Sequence, residues 1–490
     1  MKTENNKLKL NYKNTILIGM AFFSITLLWT VYNQYCPLMI EELLIHHYPE
    51  TFKNSDDTLG VVGVIMALDN LFALFMLPIF GSLSDKTKCS FGKRMIYIFP
   101  GMIISAILFP FVSIAFYNKV NIILFIFLVG LVLIVMNIYR NPAVALMPDV
   151  TPKPLRSKAN GIINFVGYVG GAIGGLLLMI FGFTNDYPEK EGLLSLANGH
   201  IVSFILAGLF MISAAIILVT TIKENKLLKE QEKFLKLGEQ QSETLANVDS
   251  GEPLTKTDKK NLVILLLAVL FWYFSFNAVE SFASLFCKSV LGNVKYGGTI
   301  VIVLTCTSLI SFILLLNVPA KIGRKNSVLL GIGIMALAFI GLVVTLAVAG
   351  IFSKNYFETL KQFQEVNPGK YYWNQNGRII FIYLFASLLG VGWALINANS
   401  YPMIVELATG KNIGKFTGIY YTFSMVAQTL TPIIAGIWMS FDPTGIGLKA
   451  LFIYSFVMII IAGVIMFFFK EKKNTIKKAK IGFEALDSDD

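Results

Sequence analysis

The chain is short of charge for its size. Only 14% of its 490 residues are Asp, Glu, Lys or Arg, against about 25% in a typical soluble protein. A soluble chain of this length divides into domains with polar surfaces, and there is too little charge here to cover them. The scarcity excludes an ordinary soluble enzyme, a disordered chain and a nucleic-acid-binding protein. Histidine is nearly missing, at 3, so no His-rich metal constellation exists. The cysteines Cys36, Cys89, Cys287 and Cys306 stand far apart, which suggests neither a zinc site nor a disulfide scaffold and leaves scattered, reduced thiols. No G-x-x-x-x-G-K-S/T phosphate loop occurs, so ATP is not the direct energy source. A membrane-embedded enzyme would need a nucleophile–base or metal constellation, and none is identifiable.

What fills the chain instead is apolar. It is 55% hydrophobic with 40 Phe, and its mean hydropathy is +0.66. A membrane-crossing helix needs about 20 mostly apolar residues, and twelve such runs are legible. Six occupy 14–40, 58–83, 95–117, 120–147, 159–183 and 199–222; six more occupy 261–287, 297–319, 327–353, 378–402, 415–439 and 448–469. The first run follows Lys2, Lys7, Lys9 and Lys13. It resembles a secretory signal but is long, lacks a small-residue cleavage site and precedes further spans, so it reads as an uncleaved first helix. Most of the 41 Lys and Arg fall in segments that are cytosolic if both termini are inside, and this bias favours that orientation. His46 and His47, with Glu41, Glu42, Asp56 and Asp57 nearby, fall in the first external loop, which reads as solvated and acidic rather than metal-binding.

The organisation follows: a six-helix bundle over 1–222, a polar cytosolic linker over 223–260, a second bundle over 261–469 and a cytosolic tail over 470–490. The linker carries lysines and acids together, predicts some helix around Glu224–Leu237, and reads as a solvated connection. The tail opens with Lys470, Lys472 and Lys473, a basic patch suited to an anionic leaflet.

The halves echo each other. The loop after span 2 reads Gly81-Ser-Leu-Ser-Asp85-Lys-Thr-Lys-Cys-Ser-Phe-Gly92-Lys93-Arg94; the loop after span 8 reads Ala320-Lys321-Ile-Gly323-Arg324-Lys325. Asp149 precedes Gly161 by the same 12 residues that separate Glu406 from Gly418. A parallel repeat of two six-helix bundles predicts a cavity between them.

G-x-L-x-D, a short basic insert and G-K-R between spans 2 and 3 resemble the signature loop of the major facilitator superfamily. With twelve spans and a middle linker, the resemblance covers essentially the whole chain. The inserted Lys88-Cys-Ser-Phe, the run Arg140-Asn-Pro-Ala-Val-Ala-Leu-Met-Pro-Asp149 with Arg156 and Asn160, and Asn277-Ala-Val-Glu280-Ser-Phe resemble the sugar–proton symporters related to plant sucrose carriers. The glycoside–pentoside–hexuronide cation symporters look like cousins. Those carry two aspartates on the second helix, at positions that fall near Ala73 and Leu77 here; this chain has Asp69, about a turn away, which puts a sodium site of their type in doubt. The resemblance implies an all-α integral membrane fold of two bundles in the cytoplasmic membrane, working as a monomer without cofactor. It implies alternating access that moves a sucrose- or maltose-like sugar with H⁺, Na⁺ being the other candidate ion. Proton-antiport efflux of drugs or metabolites and a non-transporting receptor or scaffold are the alternatives.

Charges inside spans carry the chemistry, because each costs about 2.5–3.5 kcal/mol at helix centre. Asp69 and Glu280 are the acids read as lying well inside spans, and Arg140 is the deep cation. Glu280 stands among Phe274, Phe276 and Phe282 with Asn277 on its face, a setting in which a carboxyl exchanges a proton rather than holding a permanent charge. Asp69 and Glu280 are therefore the candidate proton-coupling residues, and Arg140 is expected to pair with an acid in at least one state. Sugars need amides, carboxylates and ring faces. The candidate wall is Tyr32, Asn33, Arg140, Asn141, Asn277, Trp393, Asn397 and Gln428. A cytosolic gate is expected from Gly81, Asp85, Gly92, Lys93, Arg94, Asp149 and Arg156, with Asp85 at a helix N-terminus or paired to Arg94 or Arg156 across the gate, and Gly81 and Gly92 in tight turns. The glycines of span 5 and Pro432 of span 11 read as packing and rocking features.

Overall fold

The computed structural model describes residues 8, 10–182, 199–248, 255–315, 317–367, 370–407, 413–441 and 446–470. The expected basic tail lies outside the described residues, apart from Lys470. The described chain folds into helices α1 (Tyr12–His47), α2 (Ser55–Lys86), α3 (Met95–Tyr117), α4 (Ile122–Val150), α5 (Arg156–Phe181), α6 (Gly199–Thr221), α7 (Glu224–Val248), α8 (Lys256–Ser289), α9 (Lys295–Leu314), α10 (Val318–Ile322), α11 (Arg324–Val348), α12 (Tyr356–Val366), α13 (Arg378–Leu407), α14 (Ile413–Ser440) and α15 (Leu451–Phe467). Twelve of them are long and apolar enough to cross a membrane; α7, α10 and α12 are the others. The end where α1 starts and α15 finishes is termed the terminal face, the opposite end the far face.

Helices α1–α6 form one bundle, and α8, α9, α11, α13, α14 and α15 the other. Large apolar side chains stand exposed on α3 (Ile107, Phe111), α6 (Leu209, Ile216), α11 (Leu337, Val344) and α15 (Val457, Val464). Those helices form the outer wall, and in a bilayer such exposure meets lipid rather than water. The bundles meet through α2 with α14, α5 with α9, and α1 with α8. Glycines set two of these seams. A side chain at Gly63 would run into the Pro432 carbonyl, and one at Gly298 into the backbone of Gly175 and Met179. Both contacts lie in the far-face half of their helices.

The terminal-face half is different. Side chains added at Gly161 on α5 or Gly418 on α14, the positions matched by the internal repeat, would touch nothing within 4 Å. Asn164 and Tyr421 are exposed although they lie within spans. The bundles are thus closed together at the far face and splayed at the terminal face.

Three boundaries differ from the sequence reading. α1 runs on to His47, so Glu41, Glu42, His46 and His47 are helical, not loop. Leu43 and Leu44 are buried and carry the helix past the end of the apolar run. The linker helix α7 extends to Val248 and is docked at its start, where Glu224 and Leu227 are buried, with Lys229, Glu230, Glu232 and Lys233 exposed beyond. Between the ninth and tenth spans the chain inserts α12, tied down by Tyr356, whose hydroxyl donates to the Val290 carbonyl at 2.7 Å and accepts from the Trp373 indole at 3.1 Å.

Candidate functional site

The first-bundle wall of the central space is built by α1, α2 and α4, which bring Trp29, Tyr32, Asp69, Asn137 and Arg140 together. Asp69 is 1% exposed. Neither of its carboxylate oxygens has a hydrogen-bond partner, although Trp29 and Asn137 lie beside it and Arg140 is its electrostatic partner. The expected Asp69–Arg140 pair is therefore electrostatic only. The guanidinium stacks 4.3 Å over the Trp29 ring instead, a position favoured by the ring quadrupole. Tyr32 Oη, Asn137 Oδ1 and Arg140 Nη1 are also buried without partners. Most buried polar atoms in native proteins are paired with protein or water, and here several such atoms gather in one patch of the first-bundle wall.

On the second bundle, α8 projects Glu280 toward the first. Asn33 Nδ2 donates to Glu280 Oε1 at 3.2 Å, a bond between the bundles. Tyr168 on α5 lies within electrostatic range of the same carboxyl. Phe276 stacks on Trp393 with centroids 3.8 Å apart and planes at 4°, and Tyr273 meets Trp393 edge-on at 5.3 Å. Tyr420 continues this aromatic wall and hydrogen-bonds Ser400 at 2.9 Å. Asn277 Nδ2 is buried without a partner.

Other expected wall residues make contacts within the protein. Asn397 donates to the Trp393 carbonyl of its own helix at 3.1 Å. Gln428 contributes its backbone carbonyl to Asn70 at 3.4 Å. Asn141 packs its amide against Gly81.

The expected gate residues gather at the terminal face, but within one bundle. Arg94 Nε donates to Asp149 at 2.9 Å, and its other nitrogens bond Asp85 and Ser84. Lys93 reaches Asp149 at 2.9 Å. Four expectations are corrected here. Asp85 lies in the last turn of α2 rather than at a helix N-terminus, and its pair with Arg94 does not cross between bundles, because α2 and α3 belong to one half. Arg156 is bound to the carbonyls of Pro148 at 2.8 Å and Thr151 at 3.2 Å instead of to Asp85. Gly81 sits inside α2, where small size admits Asn141; Gly92 does make the turn, with φ +120°, a conformation open chiefly to glycine. In the second bundle Arg324 pairs with Glu406 at 2.6 Å, again internally.

Residues 57–357 match the family model described as MFS/sugar transport protein. The chain belongs to that family. Residues 372–486 match the Major Facilitator Superfamily model. A search of curated proteins finds no match. Among solved structures the chain is similar to a bacterial homologue of the human lysosomal transporter Spinster, inward-facing and occupied, at 16% identity and TM-score 0.57, covering 93% of this chain and 95% of that one. It is also similar to a bacterial homologue of the iron transporter ferroportin, inward-facing, at 13% identity and TM-score 0.60, covering 95% and 100%. A third is the nucleoside transporter NupG, at 12% identity and TM-score 0.57, covering 94% and 100%. At these identities the likeness is one of fold. Family and fold together make the chain a multi-pass membrane transporter of the secondary type and not an enzyme.

Two residues escaped the sequence reading. Glu41 was assigned to a loop, yet it is 1% exposed inside α1. Glu224 was assigned to a solvated linker, yet its carboxylate accepts from the amides of Arg94 at 3.0 Å and Met95 at 2.9 Å. It caps the start of α3, whose first amides have no partner within the helix. An acid placed directly after a span end was the available signal.

Proposed function

We propose that this transporter carries a sugar or glycoside, of the sucrose or maltose kind, together with a proton. The observation that carries the reading is the Asn33–Glu280 hydrogen bond. It joins the bundles through a carboxyl that is open to the space between them. An ionised Glu280 accepts strongly from the Asn33 amide, and a protonated one is the weaker acceptor. Proton gain and loss would therefore change the grip between bundles, which is what coupling to alternating access requires. Asp69, beside Arg140 and Trp29, is the second coupling candidate.

The sugar reading draws support from the pairing of two unlike walls. Partnerless polar atoms at Tyr32, Asn137 and Arg140 offer donors and acceptors for hydroxyls, while Trp393, Phe276 and Tyr273 offer ring faces for the apolar side of a pyranose. In the cytoplasmic membrane, with termini inside by the positive-inside bias, the terminal face is cytosolic and the state described is open inward. The unit would be the monomer, with the bundles 1–222 and 261–469 rocking about the site. A potential of 100 mV adds about 2.3 kcal/mol per charge moved. The test is accumulation of radiolabelled sucrose and maltose in proteoliposomes under an imposed proton gradient. Uptake above the internal equilibrium, abolished by a protonophore and unaffected by replacing Na⁺, supports the reading. Uptake that follows Na⁺, or no uptake of either sugar, refutes it.

A further inference from the structure

Polar contacts tie the bundles together at the far face. Glu41 on α1 points its carboxylate between the bundles, where Lys288 Nζ on α8 lies 2.8 Å from Oε2. Its other oxygen accepts from the Ser55 hydroxyl, and Ser55 in turn bonds Ser289 on α8 at 2.9 Å. Glu42, half exposed, lies 3.7 Å from the same ammonium. One turn deeper, Ser284 on α8 packs near Gly297 together with Gln34 on α1. The ion pairs described at the terminal face lie inside single bundles; the Glu41–Lys288 pair is shared between them.

We propose that Glu41 and Lys288 form the latch that holds the far face shut, made and broken once in each transport cycle. Position and burial carry this. When the bundles part at the far face, water reaches both charges and replaces the lost partner. When they are closed, Glu41 cannot be stranded cheaply, because a buried charge without its partner is strongly unfavourable. The two states therefore differ in whether the pair exists, and the pair favours the closed one. Removing Lys288 strands Glu41, the more deeply buried of the two, whereas removing Glu41 leaves Lys288 with Glu42 and solvent. Loss of Lys288 should accordingly open the far face more than loss of Glu41. The latch rests on alternating access, not on which sugar or ion is carried.

The test reads both faces separately. In a background with the native cysteines replaced by serine, Ser284→Cys reports the far face, since Ser284 is 1% exposed. Asn164→Cys reports the terminal face, where Asn164 is exposed. Each is labelled with a membrane-impermeant maleimide in proteoliposomes of known sidedness. Lys288→Met should speed far-face labelling by about 20-fold and slow terminal-face labelling, and Glu41→Gln should do the same by about fivefold, within the range of two-state couplings. The charge swap Glu41→Lys with Lys288→Glu should return both rates toward those of the unaltered pair. Unchanged far-face labelling in both single variants overturns the proposal. So does faster labelling at both reporters that the swap fails to reverse, because that pattern is loosening rather than opening. Sugar uptake is not the readout, so failure of the sugar–proton reading leaves this result interpretable.

Discussion

Gly298 and Gly418 are opposite cases of one substitution. A Cβ at Gly298 on α9 would lie 2.6 Å from the Gly175 carbonyl oxygen and 2.9 Å from Met179 Cα. Both atoms are backbone of α5, so no rotamer change relieves the clash, and the two helices must separate at the far face. A Cβ at Gly418 meets nothing, because the bundles are apart there. Valine at 298 therefore penalises the state described here, while valine at 418 penalises only the state in which the terminal face closes. Overpacking a tight contact costs about 1–3 kcal/mol, which shifts a two-state ratio roughly 5–150-fold. Spin labels at Thr51 and Ser353, one on each bundle at the far face, and at Lys86 and Asn326 at the terminal face would read the two gaps. Gly298→Val should lengthen the first distance and shorten the second. Gly418→Val should leave both unaltered at rest and suppress the terminal-face closure that substrate and proton drive. An unaltered far-face distance in Gly298→Val refutes the view that Gly175 and Gly298 set the closed seam.

Further expectations follow from the terminal-face network and the aromatic wall. Arg94→Met strips Asp149 of one partner but leaves it Lys93, and Asp85 is solvent-exposed, so the loss should be about 2–3 kcal/mol, below the 3–5 of a fully buried pair. Lys93→Met should cost under about 1 kcal/mol; equal losses in thermal unfolding would contradict the burial argument. Trp393→Ala removes the ring stacked on Phe276 and, on the proposed sugar reading, should weaken sugar binding by about 2- to 10-fold in a radioligand binding assay while leaving far-face labelling unaltered. Burial pushes the Glu224 carboxyl above its ordinary value, opposed in part by the amides of Met95 and Arg94. A folded-state value above the unfolded one means that this contribution to docking is complete in acid and is lost as pH rises through the raised value. Hydrogen exchange of α7 should therefore quicken with rising pH beyond its intrinsic trend, and Glu224→Gln should remove that excess.

The span count was legible from hydropathy, and the two-bundle architecture from the polar linker, the echo between the halves and the family resemblance. Asp69, Arg140 and Glu280 were legible because charge inside an apolar run is rare enough to stand out. Position along the chain does not say which bundle a partner sits on. Asp85 and Arg94 both fall within 1–222, so their pair could be placed inside one half, whereas the Asn33–Glu280 bond between residues of different halves was not readable at all. Glu41 was missed for a related reason. Apolar content falls after Ile40, and α1 continues as a buried helix through Leu43 and Leu44, with Glu41 paired to Lys288 on the other bundle. Asn397 and Asn70 show the converse: amides within a span satisfy their own or a neighbouring helix backbone as readily as a ligand.

Sugar-triggered proton movement in proteoliposomes would decide whether Glu280 couples the two fluxes. Sucrose or maltose added outside vesicles with no imposed gradient should alkalinise the medium with the unaltered protein. Glu280→Gln should abolish that pH change while still exchanging labelled for unlabelled sugar across the membrane. Alkalinisation that survives Glu280→Gln, or sugar entry with no proton movement in the unaltered protein, would contradict the assignment.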